Sequence, residues 1–329
     1  MTGPEILIKK KAVIFDATLL STLQSCARLA DFRFNHDFES LKGKSNAIEC
    51  GSLVHKILEV FNKSIVNGLK RDQAIGQGMM AGQLYITGCA DCSNFVPHDE
   101  FGPEKVHFDK PSCGHQPNEY PGLKNTPPDN EKGPPKKTGY KWVLETMDQY
   151  FAHYINDIWV PLNVEWVHGK MLYEDDDIKV YWKAKFDLIV QANMPQPFPV
   201  DHKTMSQDRD QTKLHNQFIG QCFVMGTRSM VVNKIGFQIS KKPPEKFKRV
   251  MHSYTADNLA EWQQEIVPYW AYQLLAFQEA KYYPPRWTNC ENKYGRCQFI
   301  DVCSADRNMR EELLRQQFKI GEKWDPTNE

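Results

Sequence analysis

The chain has no excess of either charge: Lys plus Arg number 41 and Asp plus Glu number 41, a formal net charge of zero. Global charge therefore gives no support for a polyanionic partner, although a local groove with a bound metal can supply a positive field. No run of 18 apolar residues occurs, so no membrane span is expected. Met1 to Lys11 carries charge without an apolar stretch and cleavage site. That predicts no secretory signal and a cytoplasmic location. No glycine-rich phosphate loop follows the first strand-like run, which argues against a dinucleotide fold and against an ATP-driven motor. No internal repeat is visible.

Cysteine, by contrast, is plentiful, with nine residues. Without a secretion signal this points to metal binding before disulfides. Cys89 and Cys92 form a Cys-x-x-Cys pair, and Cys113 lies two residues before His115. These four are candidate ligands of a tetrahedral zinc site, with an unmetallated loop as the alternative. Cys290, Cys297 and Cys303 form a terminal trio too openly spaced for a paired zinc finger, and Cys26 stands alone near the N-terminus. Cys50 and Cys222 read as ordinary semi-buried thiols.

Apolar periodicity divides the chain. A strand is expected over residues 5–15, then a helix capped by Asp16 or Thr18 and reaching about Arg33. A second helix covers about Ser52 to Asn67, with Leu53, Val54, Ile57, Leu58, Phe61 and Ile65 on one stripe. Residues 86–139 are rich in Pro, Gly, Asn, Asp and Lys and read as an insertion needing its own staple. Periodicity returns in a helix from Lys141 to about Ile158. Strands follow at Leu162–Val167, Ile178–Gln191 and Phe198–His202, then a helix from about Gln211 to Met225. Two more strands are expected near Ser229–Ser240 and Phe247–Thr255. A long helix capped by Thr255 runs to about Tyr282, and a short one spans about Ala305–Phe318. The basic run from Lys241 to Arg249 reads as a solvated loop. The class is α/β, a small mixed central sheet flanked by helices. The parts are an N-terminal helical segment (1–85), the insertion (86–139), the core (140–283) and a cysteine-bearing tail (284–329).

One cluster carries chemistry. Asp187 ends a strand-like run, and Asp201-His202-Lys203 occupies the next. Two carboxylates from adjacent strands suit a hard divalent cation. Side chains alternate along a strand, so Asp201 and Lys203 share one face and the backbone carbonyl of His202 is available as a further ligand. Lys203 beside a bound water can orient it or stabilise charge growing on phosphate oxygens. The pattern fits metal-dependent phosphodiester hydrolysis. The plain alternative is a surface ion pair.

The string resembles the PD-(D/E)xK nuclease superfamily, in particular the RecB-type branch that includes nuclease domains of bacterial recombination complexes and CRISPR-associated adaptation nucleases. Gly51-Ser52-Leu53-Val54-His55 matches its Gly-x-x-x-His helix, Asp187 its strand-end aspartate, and Asp201-His202-Lys203-Thr204 its Asp/Glu-x-Lys strand. Gln217 matches the glutamine of the following helix. The likeness spans about residues 18 to 304, the insertion excepted. It implies His55, Asp187, Asp201 and the His202 carbonyl as ligands of Mg²⁺ or Mn²⁺, Lys203 and Gln217 as catalytic partners, and Glu165 as a glutamate near the site. Two departures are Ala184 where the family often has glycine, and Gln221 where it often has tyrosine. The second falls at the position of the family's usual aromatic contact to the substrate strand and puts that contact in question; neither touches a metal ligand.

The same resemblance implies that Cys26, Cys290, Cys297 and Cys303 hold a 4Fe–4S cluster that staples the N-terminal helix to the C-terminus. Structural zinc at these four thiols is the rival, and redox sensing a further reading. The implied activity is a DNA exonuclease of a phage or bacterium acting on single strands or duplex ends in recombination, repair or replication, with partner proteins of those processes. The alternative is a catalytically inactive nucleic-acid-binding subunit with structural metal centres.

Overall fold

The computed structural model describes residues 10–41, 46–87, 140–205, 214–237, 241–292 and 295–323. Cys89, Cys92, Cys113 and His115 lie outside them.

The chain opens with β1 (Lys11–Phe15) and α1 (Ala17–Ser25). Asp16 caps the helix by accepting the Leu19 N–H at 2.6 Å, which satisfies one of the free donors at a helix start. The expected helix to Arg33 is interrupted: Cys26 is extended, with φ −165° and ψ 116°. α2 (Ala27–Ala30) and a π-helical turn at Asp31–Asn35 follow it. After β2 (Phe38–Ser40) come α3 (Asn46–Val66) and α4 (Arg71–Thr87). α3 starts earlier than the apolar stripe suggests. α5 (Tyr140–His153) ends before Ile158, and Ile155 and Ile158 are exposed.

The sheet strands are β3 (Val160–Glu174), β4 (Ile178–Gln191) and β5 (Phe198–Met205), then, after α6 (Asn216–Met225), β6 (Ser229–Gly236). α7 (Pro243–Lys246) leads into β7 (Phe247–Ser253). β3 is far longer than Leu162–Val167 because it pairs with β4 over nearly its whole length. The order is β1-β4-β5-β6-β7, with β3 on the other side of β4. β1–β4 and β5–β6 are parallel, and the remaining pairs antiparallel. α8 (Ala256–Glu261), a π turn at Trp262–Ile266 and α9 (Val267–Ala280) form the expected long helix, started by a capping box at Thr255. No described helix is long and apolar enough to cross a membrane.

Helices cover the sheet in two packed clusters. One joins α1, β4, α6 and α9 around Phe15, Leu20, Trp182, Phe186 and Trp262. The other joins α3, α4 and α5 around Val54, Ile57, Val143 and Met147. β4 alternates buried Val180, Trp182, Ala184 and Phe186 with less buried neighbours, then becomes continuously buried at Leu188–Val190, where Leu188 and Val190 pack into one apolar cluster and Ile189 into another, as strands covered on both faces do. The basic run is not a solvated loop. Lys246 is buried, donates to Gln149 at 2.8 Å and sits over the Trp142 ring. Arg249 lies between the Tyr154 and Trp159 rings and donates to Asp157. Cys50 and Cys222 are buried more fully than the sequence suggests.

Candidate metal centre and its surroundings

The site forms where β4 and β5 part. Their ladder covers only Leu188–Val190 against Phe198–Val200. Beyond it, the His202 N–H meets no ladder carbonyl from β4 and donates instead to Asp187 Oδ2 at 2.7 Å. The N–H and C=O of one residue in a strand point to the same edge, so the His202 carbonyl is directed into the same gap. The His55 ring hydrogen-bonds the His202 backbone.

His55 reaches the gap from α3, with Nδ1 3.6 Å from Asp187 Oδ2. The helix can cross this close because residue 51 is glycine: a Cβ there would stand 3.2 Å from Thr204 Oγ1 of β5. Burial holds the His55 imidazole below its ordinary value, partly offset by Asp201. The neutral ring this favours is the ligating form.

Glu165 completes the group. The ladder pairs Val164 with Leu188 and Trp166 with Phe186, which sets Glu165 across from Asp187. Its φ is 51°, a left-handed conformation in mid-strand, which costs about 1–3 kcal/mol for a residue with a side chain. Ligand atoms of His55, Glu165 and Asp187 lie within 4.8 Å of one another, and no other group of three or more His, Cys, Asp or Glu does so among the described residues. Burial and the neighbouring Asp201 carboxylate push the Asp187 carboxyl well above the usual range. A divalent cation would relieve both penalties, so the donor set fits a hard metal ion. The group opens onto a cleft of about 470 Å³ that also presents Ser52, Lys56, Tyr85 and Lys185.

Asp201 stands beside this group, not inside it. It is fully buried, with Oδ2 2.8 Å from Lys203 Nζ and Oδ1 accepting from Gln217 Nε2 at 2.6 Å. The Gln217 oxygen accepts from Lys203 Nζ at 3.2 Å. The carboxylate of the pair is buried and both partners are joined to a third group, unlike a surface ion pair. The His202 side chain points away from the cleft: its Nδ1 meets Asn233 at 2.8 Å, and Asn233 donates to the Tyr150 hydroxyl. Burial holds this imidazole well below its ordinary value. Gln221, at the family's tyrosine position, is buried and donates to the Lys185 carbonyl at 2.9 Å, tying α6 to β4. Sequence reasoning left Glu165 outside the ligand set and did not notice Lys185. The one available signal was the position of Glu165 in the strand preceding Asp187.

The four outlying cysteines also meet. Cys290 is raised by burial and then by Cys297, Cys303 and Cys26, in that order, so all four thiols share one locality. None is in a disulfide. The tail is tied to α1 and α2 by Asn289 on the Ser25 carbonyl, Arg286 on the Gln24 carbonyl, and the Arg28 N–H on the Pro284 carbonyl.

No protein-family model matches the sequence, and no curated protein matches it. Among solved structures, the crystal structure of a "Putative exonuclease" from Eubacterium rectale overlaps 89% of this chain and 87% of its own, with 14% identity and a TM-score of 0.44. An overlap that loose carries no argument about fold or function.

Proposed function

We propose that this chain is a divalent-metal-dependent nuclease of the PD-(D/E)xK, RecB-like kind, acting as an exonuclease on single-stranded DNA or duplex ends. The observation that carries the reading is the convergence of His55, Glu165 and Asp187 within 4.8 Å, beside a linked Asp201–Lys203–Gln217 triad built on the buried Asp201 carboxylate. Residues distant in sequence, from two helices and three strands, come together where β4 and β5 part.

His55, Glu165 and Asp187, with Asp201 and the His202 carbonyl adjoining, would hold Mg²⁺ or Mn²⁺. Bound there, the ion acts as Lewis acid and lowers the pKa of a coordinated water. Lys203 is fixed by Asp201 and Gln217, so its ammonium is positioned to orient a nucleophilic water and to offset charge on the phosphate oxygens. Gln217 fixes Asp201 in turn. The His202 peptide orients the Asp187 carboxylate through its N–H, and the side-chain contact to Asn233 locks that peptide from behind.

The thiols of Cys26, Cys290, Cys297 and Cys303 fit a 4Fe–4S cluster. What supports this reading is that the four thiols share one locality, with tetrahedral zinc at the same thiols as the rival. Such a cluster is structural here, since the segment it holds is the chain's closing strap.

End-labelled single- and double-stranded DNA incubated with Mn²⁺, Mg²⁺ or chelator tests the reading. Stepwise shortening from an end, with either ion and not with chelator, is expected. Intact label under every condition would sink it.

A further inference from the structure

A second cleft, of about 500 Å³, runs beside the first, between α1, β4 and the start of α6. Its wall is mixed and more apolar than polar: Leu29, Trp182 and Ala184 line it together with Asp16, Lys183 and Gln217. Of the residues lining the two clefts, Lys185 alone belongs to both. Its backbone is fixed, because its carbonyl takes the Gln221 amide. Its side chain is 53% exposed, and its ammonium reaches Glu165 Oε2 at 3.1 Å.

That ion pair uses a carboxylate with another claim on it. Glu165 belongs to the three-residue group with His55 and Asp187, and its left-handed backbone holds it there. A divalent cation in that group would take the Glu165 charge and repel a nearby ammonium. The four-carbon stem of lysine allows the ammonium to swing while its backbone stays still. The adjoining cleft is the other space it lines.

We infer that Lys185 is a metal-gated phosphate clamp. It neutralises Glu165 until a divalent cation arrives, then turns into the second cleft and pairs with a backbone phosphate of the polynucleotide lying there. The inference rests on the nuclease reading above and extends it by giving the strand a seat and a coupling residue. Linkage requires that the effect be mutual: the metal tightens the nucleic acid and the nucleic acid tightens the metal by one factor.

The experiment uses the full chain in three forms: wild type, Lys185→Met and Lys56→Met. Lys56 also lines the first cleft, but its partner is Glu59, at 3.2 Å, so its removal controls for loss of any cation there. Mn²⁺ binding is read from the electron paramagnetic resonance of the free ion. Binding of a labelled single-stranded oligothymidylate is read by anisotropy, with and without Ca²⁺. Lys185→Met should bind Mn²⁺ about two- to fivefold more tightly, the worth of one partly exposed ion pair. Its oligonucleotide affinity should lose the Ca²⁺ response of wild type, whereas Lys56→Met keeps that response. If wild type binds both ligands and Lys185→Met retains the wild-type response, the gate is wrong and the nuclease reading stands. If wild type binds neither, the nuclease reading falls and the gate with it.

Discussion

Gln217 donates to Asp201 Oδ1 across 2.6 Å while its own oxygen receives Lys203. A side-chain amide serves both partners because it carries a donor and an acceptor on one group. Gln217→Leu should fold normally yet slow cleavage by about 10- to 100-fold, the usual cost of removing a group that orients metal-site residues. Gln217→Glu cannot donate to Asp201 and adds a like charge beside it, so it should be at least as slow. Rates on end-labelled DNA check both, and an unchanged rate in either would remove Gln217 from the site.

Lys203 is held by two neighbours and remains 28% exposed at its side chain, so it does not carry the fold. Lys203→Ala should abolish cleavage and leave the thermal melt within a few degrees of wild type. Turnover at the parental rate would exclude it from the chemistry.

The buried Asp187 carboxylate has a more specific consequence. Its charge is disfavoured by burial and by Asp201, so the metal-free protein carries a penalty at neutral pH. Asp187→Asn keeps an acceptor for the His202 N–H and removes the charge. The chelated variant should therefore melt higher than chelated wild type. Mn²⁺ should stabilise wild type, by about 2.7 kcal/mol at a hundredfold excess over its dissociation constant, and should do little for the variant. Equal Mn²⁺ shifts in both proteins would mean that Asp187 is not a ligand.

His202 sets an acid limit. Its folded pKa lies well below the ordinary 6.5 because the ring is buried. Between those two values the unfolded chain takes up a proton that the folded chain refuses, so stability present above pH 6.5 is lost as pH falls. The slope from this one group is at most about 1.4 kcal/mol per pH unit. Urea midpoints of chelated protein from pH 7.5 to 5 should show the loss, and His202→Asn should flatten it. A variant as acid-sensitive as its parent would assign the effect elsewhere.

Legibility in the sequence followed how local each signal was. β4 matches its expected bounds of Ile178 to Gln191 because alternation and then continuous burial both mark it. α4 went unseen because its glycines blur the apolar stripe. Two of them let it lie against α3: a Cβ at Gly78 would stand 2.8 Å from the Ile57 carbonyl, and one at Gly82 2.6 Å from the Ile57 side chain. The Lys241–Arg249 run misled because Lys246 and Arg249 find partly buried partners, Gln149 and Asp157, that lie about a hundred residues earlier. His55, Asp187 and Lys203 were legible as motif residues. The place of Glu165 was not, since it depends on strand register and on a left-handed backbone that no composition reveals.

The four cysteines invite the largest stability change. A cluster joining Cys26 to Cys290 closes a loop of more than 260 residues. By analogy with a disulfide, loop-closure entropy gives on the order of 5 kcal/mol as a ceiling. The realised effect should be smaller, because Asn289 and Arg286 already bond the end of α1 without any metal. Anaerobically purified protein should be brown and contain iron and acid-labile sulfide. Cys297→Ser should be colourless and unfold at lower urea, and Asn289→Ala in the same background should lower the midpoint further. Zinc in place of iron would replace the cluster with a different staple. A Cys297→Ser protein that melts with wild type would mean that the hydrogen bonds alone close the strap.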